Sequence, residues 1–382
     1  MNNTIQKYEY IDALRGIAIL GVVLHHIGLW ITPSFSFISD LTEEGNKGVQ
    51  LFYVASALTL FLSMDSRKVQ EKHFLFNFFI RRFFRIAPMF YLAIIIYISF
   101  YGMAERLFTP NGIEWWYIPL TALFIHGWYP ESINSIVPGG WSIAVEMTFY
   151  LMVPYLFSKL TSIKITLIAL LLSLVLSKIT SFLIFNYLLS YYPSTQTYLL
   201  HSFTYFWFFS QLPIFLLGIL LFHIVKTFPV GNKTIANVLL CFAIFMMLYC
   251  MGIQTYKNLL PPHVIYGIAF LILALSLHFS ANRILVNKAT VFIGKLSFSI
   301  YLVHFLIIEI FKIVFTKLPF IDLLQNDIKF TFAYLLVILL SCFVSIFTYK
   351  VIEKPGINIG KMIINRFNLE KNQRKMLHHN RN

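Results

Sequence analysis

Long apolar runs, each near the length needed to cross a lipid bilayer, recur along the chain to about residue 350. A helix needs about 20 apolar residues to cross the hydrocarbon core, whereas the strands of a β-barrel are alternating segments of about 10 residues. The pattern therefore predicts an all-α integral membrane protein, a bundle of about ten transmembrane helices. The predicted spans are residues 10–31, 46–65, 86–104, 141–158, 165–188, 203–225, 235–253, 262–280, 296–315 and 330–352.

Composition supports a membrane protein and argues against a nucleic-acid binder. The 382 residues are 58% hydrophobic and 12% charged, with a mean hydropathy of +0.73. Soluble domains are about 25% charged, so an ordinary soluble fold is excluded. The net charge is +14, but binding of nucleic acid would need a basic surface on a soluble domain, and this chain offers none. We therefore expect no nucleic-acid partner.

The basic residues between the spans predict the orientation of the bundle, because cytoplasmic loops of membrane proteins are rich in Lys and Arg. With the N-terminus inside, twenty-one Lys and Arg fall in cytoplasmic segments and five in external ones. Both termini are therefore expected in the cytoplasm. The external stretch 105–140 is rich in Trp and Tyr, and within it 113–128 is expected to form an interfacial or re-entrant helix rather than a span.

The first predicted span carries four ionisable side chains, Asp12, Arg15, His25 and His26. Ionisable groups are costly in a bilayer, so this helix is a candidate functional site. Arg15 and His26 are eleven positions apart and therefore share a helix face, separated by about 16 Å along the axis. Asp12 joins that face one turn before Arg15, while His25 points to an adjacent face.

Six elements, in order, resemble those of the acyltransferase-3 family, integral-membrane enzymes that acylate sugars. The first is YIDALRGIA at 10–18 followed by VVLHH at 22–26. A second, GVQLFYVAS at 48–56, is followed by Ala57 where the family pattern usually has Gly. The others are RFFRIAP at 82–88, WSIAVE at 141–146 with FY at 149–150 and a later Pro154, LSFSIYLVH at 296–304 and EKP at 353–355.

The resemblance implies a domain boundary and a catalytic pair. An acyltransferase-3 transmembrane domain would cover 1–360, and 361–382 would be a basic cytoplasmic tail. In the family an Arg is followed after ten residues by an essential His, and this spacing selects Arg15 and His26 rather than His25. The implied location is the inner membrane of a bacterium, as a multi-pass protein.

Arg82 and Arg85, one turn apart at the cytoplasmic start of a span, could cradle phosphates, since guanidinium groups bind phosphate bidentately. Acyl-coenzyme A is cytosolic and rich in phosphate. We therefore expect these two, with Arg15, to bind the donor. The alternative is plain positive-inside anchoring, the role expected for Arg67, Lys68 and Arg81.

Glu146 lies about a turn and a half inside the predicted fourth span, and Ser142 lies one turn before it. The residues leave several roles open for this carboxylate: orienting His26, positioning an acceptor hydroxyl, pairing with Arg15, or structural pairing. His304 is open between hydrogen bonding with Tyr301 or Ser297 and a role in the site. The supporting residues expected around the site are Asp12, Trp141, Ser142, Tyr301 and His304.

The expected reaction is transfer of an acyl group, acetyl above all, from acyl-coenzyme A to a hydroxyl of a surface or exported polysaccharide or glycolipid. His26 suits either general base catalysis or transient covalent carriage of the acyl group. We expect no metal and no permanently bound cofactor. A homo-oligomer is possible, and since no G-x-S-x-G elbow occurs, a separate extracytoplasmic acyltransferase is a possible partner.

Two other classes of function remain open at this stage. A transporter or flippase of a lipid-linked sugar would need no thioester-donor cradle at the cytoplasmic mouth. The residues that distinguish it from an acyltransferase are therefore Arg15, His26, Arg82 and Glu146. A non-catalytic assembly partner would tolerate changes at all of these residues.

Overall fold

The computed structural model describes residues 8–228, 232–252, 260–315, 317–318 and 324–379, with side chains described as far as residue 368. Within these ranges the chain is helical and forms no strand. A π-helical turn, Tyr349–Glu353, joins the last two helices. The helices are α1 Glu9–Gly28, α2 Ser36–Glu44, α3 Gly48–Arg67, α4 Phe74–Tyr101, α5 Tyr117–Ala122, α6 Gly140–Lys159, α7 Ile163–Leu189, α8 Thr197–Phe206, α9 Phe208–Thr227, α10 Lys233–Gly252, α11 Pro262–Phe279, α12 Lys288–Phe315, α13 Asn326–Thr348 and α14 Lys354–His379.

Nine helical stretches within the described ranges are long and apolar enough to span a membrane, so the chain is a multi-pass membrane protein. The predicted span 141–158 also forms a helix, α6, but it carries Glu146 and Ser142 and is not among the nine. The predicted span 203–225 is interrupted at Trp207, whose extended backbone separates α8 from α9. The helical bundle is thus confirmed, with about nine candidate spans against the ten predicted.

Helix α1 lies at the centre of the bundle and packs most extensively on α12. A Cβ on Gly294 would lie 1.7 Å from the carbonyl oxygen of Asp12, and a Cβ on Gly16 would lie 2.1 Å from that of Thr290. The two backbones are therefore in direct contact, which no residue larger than glycine permits. Membrane helices are held by such close packing, because lipid supplies no hydrophobic drive between them.

A second close contact joins α3 to α9 at Ala57, where the resembled pattern has Gly. Ala57 is fully buried, and a Cβ on Gly218 of α9 would lie only 2.7 Å from the Ala57 Cβ. It would also lie 2.6 Å from the carbonyl oxygen of Val54. The glycine of this contact therefore lies on α9 instead of α3.

The segment between α4 and α6 does not span the bundle. It contains the short helix α5 and a 3-10 turn, His126–Trp128, in place of the single helix predicted over 113–128. The interfacial or re-entrant placement of this segment stays a prediction. His126 is buried and its Nε2 donates to the carbonyl of Gly140 at 3.0 Å. Burial lowers the pKa of His126 to about 4, so it stays neutral while it holds the start of α6.

Helix α14 runs through the boundary predicted at residue 360, so the predicted tail begins inside a continuous helix. Residues 380–382 and the side chains beyond 368 lie outside the described part of the chain. The division into a membrane domain and a tail therefore stays a prediction.

Glu71, in the loop between α3 and α4, binds polar side chains from both helices. It accepts hydrogen bonds from Arg67 at 2.8 Å, from Asn77 at 2.9 Å, and from Arg81 through both carboxylate oxygens. Partial burial raises the pKa of Glu71, but the hydrogen bonds from Asn77, Arg67 and Arg81 outweigh it and lower the pKa below 4.5. The charged carboxylate thus fixes the start of α4 relative to the end of α3.

Replacing Gly294 with Leu should separate α1 from α12 and destabilise the protein by about 3 kcal/mol or more, because the new side chain would overlap backbone. Melting temperature of the detergent-solubilised protein is the measurement. Gly252→Leu is the matched control, since a Cβ at that position meets no atom of the described residues within 4 Å. Equal melting temperatures for the two variants would contradict the close contact.

Replacing Glu71 with Gln should lower stability at neutral pH by about 1 kcal/mol, because three charge-assisted or polar donors lose an anionic acceptor. The pKa of Glu71 is depressed in the folded state, so its contribution is present above about pH 4.5 and disappears as the pH falls through the folded pKa. Melting curves between neutral and acidic pH should therefore converge for the wild type and the variant. A difference that persists at the acidic end would contradict this account.

Candidate functional site

Two cavities lie on either side of a wall formed by Val49 and Tyr301, the two residues that line both. The smaller, about 80 Å³, is here called the arginine cavity because Arg15, Arg82 and Arg85 line it. The larger, about 560 Å³, is called the histidine cavity because His25 and His26 line it. Helix α1 contributes to both cavities, as the shared face of Arg15 and His26 predicts.

Arg15 enters the arginine cavity from α1 and is held on two sides. Its Nη2 donates to Thr59 Oγ1 of α3 at 2.9 Å, and its Nη1 lies 3.5 Å from Asp12 Oδ1. The hydroxyl of Thr59 in turn donates to the carbonyl of Ala55 at 2.7 Å. Asp12 thus lies on the helix face of Arg15 that their spacing of three residues predicts.

The three arginines in the first half of α4, Arg81, Arg82 and Arg85, separate into two groups. Arg81 is occupied by Glu71, whereas Arg82 and Arg85 line the arginine cavity. Within the described ranges neither Arg82 nor Arg85 has a carboxylate within ion-pair distance, and Arg82 Nε is buried without a hydrogen-bond partner. The guanidinium of Arg82 lies 5.9 Å from the ring centroid of Tyr150. These two cations are thus available to an anion.

Glu146 lines the same cavity and is held by two hydroxyls. Its Oε1 accepts from Ser56 at 2.5 Å and from Tyr150 at 2.6 Å. In the part of the chain that the structure describes, it makes no direct ion pair with Arg15 and no hydrogen bond with His26. Of the roles open to Glu146, structural pairing with hydroxyls is the one that its contacts show, and positioning an acceptor hydroxyl stays a prediction.

His26 faces the histidine cavity among three other rings. Its ring centroid lies 4.4 Å from Phe305, 5.4 Å from His304 and 5.0 Å from His25. No hydrogen bond to His26 is present within the described ranges, whereas His25 Nδ1 donates to the carbonyl of Thr42 at 2.9 Å. His25 lines the same cavity but is tied to α2, which leaves His26 as the one of the pair with its ring nitrogens open.

His304 is fully buried behind His26. Its Nδ1 donates to the carbonyl of Ile300 at 3.1 Å, a backbone group one turn earlier on the same helix. The cause is the helical geometry, since the carbonyl four residues earlier lies directly under the ring. His304 Nε2 has no hydrogen-bond partner.

Tyr301, Ser142 and Gly139 form a small hydrogen-bonded group at the start of α6. Ser142 Oγ donates to the Tyr301 hydroxyl at 2.8 Å, and that hydroxyl donates to the carbonyl of Gly139 at 2.9 Å. Trp141 stacks on Phe206 at a centroid distance of 4.3 Å and lines the histidine cavity. The structure thus brings Trp141, Ser142 and Tyr301 to the junction of the two cavities, and Asp12 to the side of Arg15.

Several contacts of the site could not be assigned from sequence. Thr59 carried no signal beyond lying one turn after Ser56. Ser56 and Tyr150 lie in sequence elements that resemble those of the acyltransferase-3 family, but the sequence did not indicate that both would donate hydrogen bonds to Glu146. Arg106 lines the histidine cavity with its guanidinium 4.6 Å from the Tyr101 ring centroid, although its position predicted only an external loop.

Comparison with known proteins gives low-identity relatives over most of the chain. A protein of Staphylococcus aureus (strain COL), provisionally named an O-acetyltransferase, is 27% identical over 342 residues, or 80% of this chain and 52% of the relative. The O-acetyltransferase OatA of Staphylococcus aureus (strain NCTC 8325 / PS 47) is 25% identical over 382 residues, 90% of this chain and 56% of OatA. The chain thus spans about half the length of these curated relatives.

No solved structure matches the chain significantly. The acyltransferase-3 family model, described as an acyltransferase domain, matches residues 8–350. That range contains both cavities and every residue that lines them. The chain therefore belongs to the acyltransferase-3 family.

Proposed function

We propose that the protein transfers an acyl group, acetyl in the first place, from cytosolic acyl-coenzyme A to a hydroxyl of a surface or exported polysaccharide or glycolipid. The observation that carries this proposal is the placement of Arg15 and His26 on one helix but in two adjoining cavities, one cationic and one with an open imidazole. Family membership supports an acyltransferase, and the names of the relatives favour acetyl as the group.

The arginine cavity suits the phosphate-bearing end of the donor. Arg82 and Arg85 have no carboxylate partner in the described ranges, and guanidinium groups bind phosphate oxygens through paired donors. Its volume, about 80 Å³, holds only on the order of five water-sized groups. The cavity is therefore too small for the whole donor: the nucleotide lies at its mouth with the phosphates on Arg82 and Arg85, and only the thioester arm extends inward.

The distribution of basic residues between spans assigns the arginine cavity to the cytoplasmic side in this proposal. Arg82 and Arg85 lie on α4, which follows the loop that carries Lys68 and Glu71, and Arg67 ends the helix before that loop. The membrane would then be the cytoplasmic membrane of a bacterium, and the histidine cavity would lie towards its outer side.

The histidine cavity suits a saccharide. At about 560 Å³ it lies in the range of small-molecule sites, and Trp141, Tyr205 and Phe206 supply aromatic faces for the apolar side of a sugar ring. Asn46 and Asn134 supply polar groups for hydroxyls. An acceptor and His26 would thus share one chamber.

In the proposed reaction an acceptor hydroxyl oxygen attacks the thioester carbonyl carbon, with His26 taking the hydroxyl proton as general base. A carbon–oxygen bond forms, the carbon–sulfur bond breaks, and the thiolate of coenzyme A leaves and takes up a proton. Arg15 and Glu146 act on the donor side, where both line the arginine cavity. No resident metal or cofactor is required by this scheme, and a separate extracytoplasmic enzyme or a second copy of the chain remains a possible partner.

Replacing His26 with Ala should reduce O-acyl groups on surface polysaccharide by on the order of 100-fold, because a general base typically contributes at least that factor. Alkali-released acetate per unit of purified polysaccharide is the measurement. His25→Ala is the matched control, because His25 lines the same cavity but is engaged with Thr42.

Membrane levels of both histidine variants must equal those of the wild type. Loss of acylation in His26→Ala alone would support the assignment. Equal loss in both would remove the distinction between the two histidines, and no loss in either would refute an acyltransferase role for this site. Unchanged acylation would also be the result expected of a transporter or assembly partner that does no chemistry.

Replacing Arg82 with Gln should raise the Kd for acetyl-coenzyme A about tenfold, because a charge-assisted contact to phosphate is worth at least about 1.4 kcal/mol. Binding to the protein in nanodiscs, measured by thermophoresis, needs no acceptor. Arg81→Gln is the control, since Arg81 is engaged with Glu71, and its Kd should not change. A similar loss of affinity in both variants would indicate general electrostatic attraction instead of a built donor site.

A further inference from the structure

The residues required by the proposed reaction lie on opposite sides of one wall. Arg15, Arg82 and Arg85 line the arginine cavity, whereas His26 lines only the histidine cavity. Val49 and Tyr301 line both cavities. The place where a donor bound through its phosphates at the arginines could reach His26 is therefore between these two side chains.

The two side chains of the wall differ in how they are held. Val49 is a β-branched residue with 6% exposure, and packing against neighbouring helices fixes it. Tyr301 has 7% exposure, and its hydroxyl is held by Ser142 at 2.8 Å and by the Gly139 carbonyl at 2.9 Å. These hydrogen bonds can be exchanged for others, so Tyr301 is the side of the wall that can move.

The backbone around Gly139 is shaped to receive the Tyr301 hydroxyl. Gly139 has a φ of +75°, and a Cβ on it would lie 2.7 Å from the Tyr301 hydroxyl oxygen. Glycine at this position thus permits both the turn into α6 and the close seat of the tyrosine. On the other side the Tyr301 ring lies 6.3 Å from Phe52 and 5.9 Å from His304, measured between centroids.

We propose that the wall between Val49 and Tyr301 is the crossing point for the thioester arm of the donor, and that Tyr301 opens and closes it. With its hydroxyl on Ser142 and Gly139, Tyr301 keeps the two cavities apart. When the ring moves aside, the arm passes from the arginine cavity towards His26. The closed wall keeps the thioester from water in the histidine cavity until an acceptor is present.

This inference rests on the proposed function and predicts a specific failure when the wall is removed. In Tyr301→Ala, water should replace the acceptor at the thioester: the carbon–sulfur bond breaks, a carbon–oxygen bond to water forms, and free acetate and thiol are released. Acceptor-independent thiol release from acetyl-coenzyme A should rise about fivefold over the wild type, because exclusion of water from the reacting centre is lost.

The measurement uses the full-length protein in nanodiscs, with acetyl-coenzyme A as the probe and a thiol-reactive dye as the readout. Ser142→Ala removes one hydrogen bond from the Tyr301 hydroxyl without adding volume, and it should raise thiol release to a smaller extent. Adding His26→Ala to Tyr301→Ala should return thiol release to the wild-type level, since the leak runs through His26.

Tyr97→Phe is the matched control. Tyr97 is also buried and donates to the α12 carbonyl of Leu302 at 2.7 Å, but it lines neither cavity. Melting temperatures are measured for every variant. A folded Tyr301→Ala that releases no more thiol than the wild type would overturn the inference, and so would an equal rise in Tyr97→Phe.

The outcomes separate this inference from the function on which it rests. If the wild type transfers no acetyl to polysaccharide and His26→Ala changes nothing, the acyltransferase proposal fails. If the wild type transfers acetyl and depends on His26, but thiol release is unchanged in Tyr301→Ala, only the crossing point fails.

Discussion

The backbone contact between α1 and α12 is the constraint on which the site depends. Because Gly16 and Gly294 have no side chains, the two helices meet at their carbonyl groups instead of at their side chains. This contact brings His26 of α1 against His304 of α12 and fixes where Tyr301 stands between the two cavities. A larger separation of these helices would widen the wall and move the imidazoles apart.

Only part of the positive charge of the arginines on α4 is neutralised by a carboxylate of the protein. Glu71 satisfies Arg81 and leaves Arg82 and Arg85 facing the arginine cavity. The carboxylate that does line this cavity, Glu146, is bonded to hydroxyls instead of guanidinium groups. Cation density is therefore retained where an anionic ligand would bind, although a carboxylate is close by.

The periodicity of apolar and ionisable residues predicted where helices form and which side chains share a helix face, and these predictions agree with the structure. The spacing of Asp12 and Arg15 predicted that the two share a helix face, and the apolar runs predicted the bundle. Contacts between helices could not be predicted in this way. Periodicity shows on which face of its own helix a residue lies, but it does not show which other helix packs against that face. The hydrogen bond from Arg15 to Thr59 is a contact of this kind. Another is the hydrogen bond that Trp207 Nε1, at the break between α8 and α9, donates to Ser181 Oγ at 3.3 Å.

The two cavities are built from different kinds of structure. The arginine cavity is lined by helices α1, α3, α4, α6 and α12, whereas much of the histidine cavity is lined by the irregular segment between α4 and α6, including Arg106, Phe108 and Asn134. Loop segments accept insertions and substitutions that packed helices do not. The chamber around His26 can therefore accept changes in sequence without disturbing the helix packing that holds the cationic end in place.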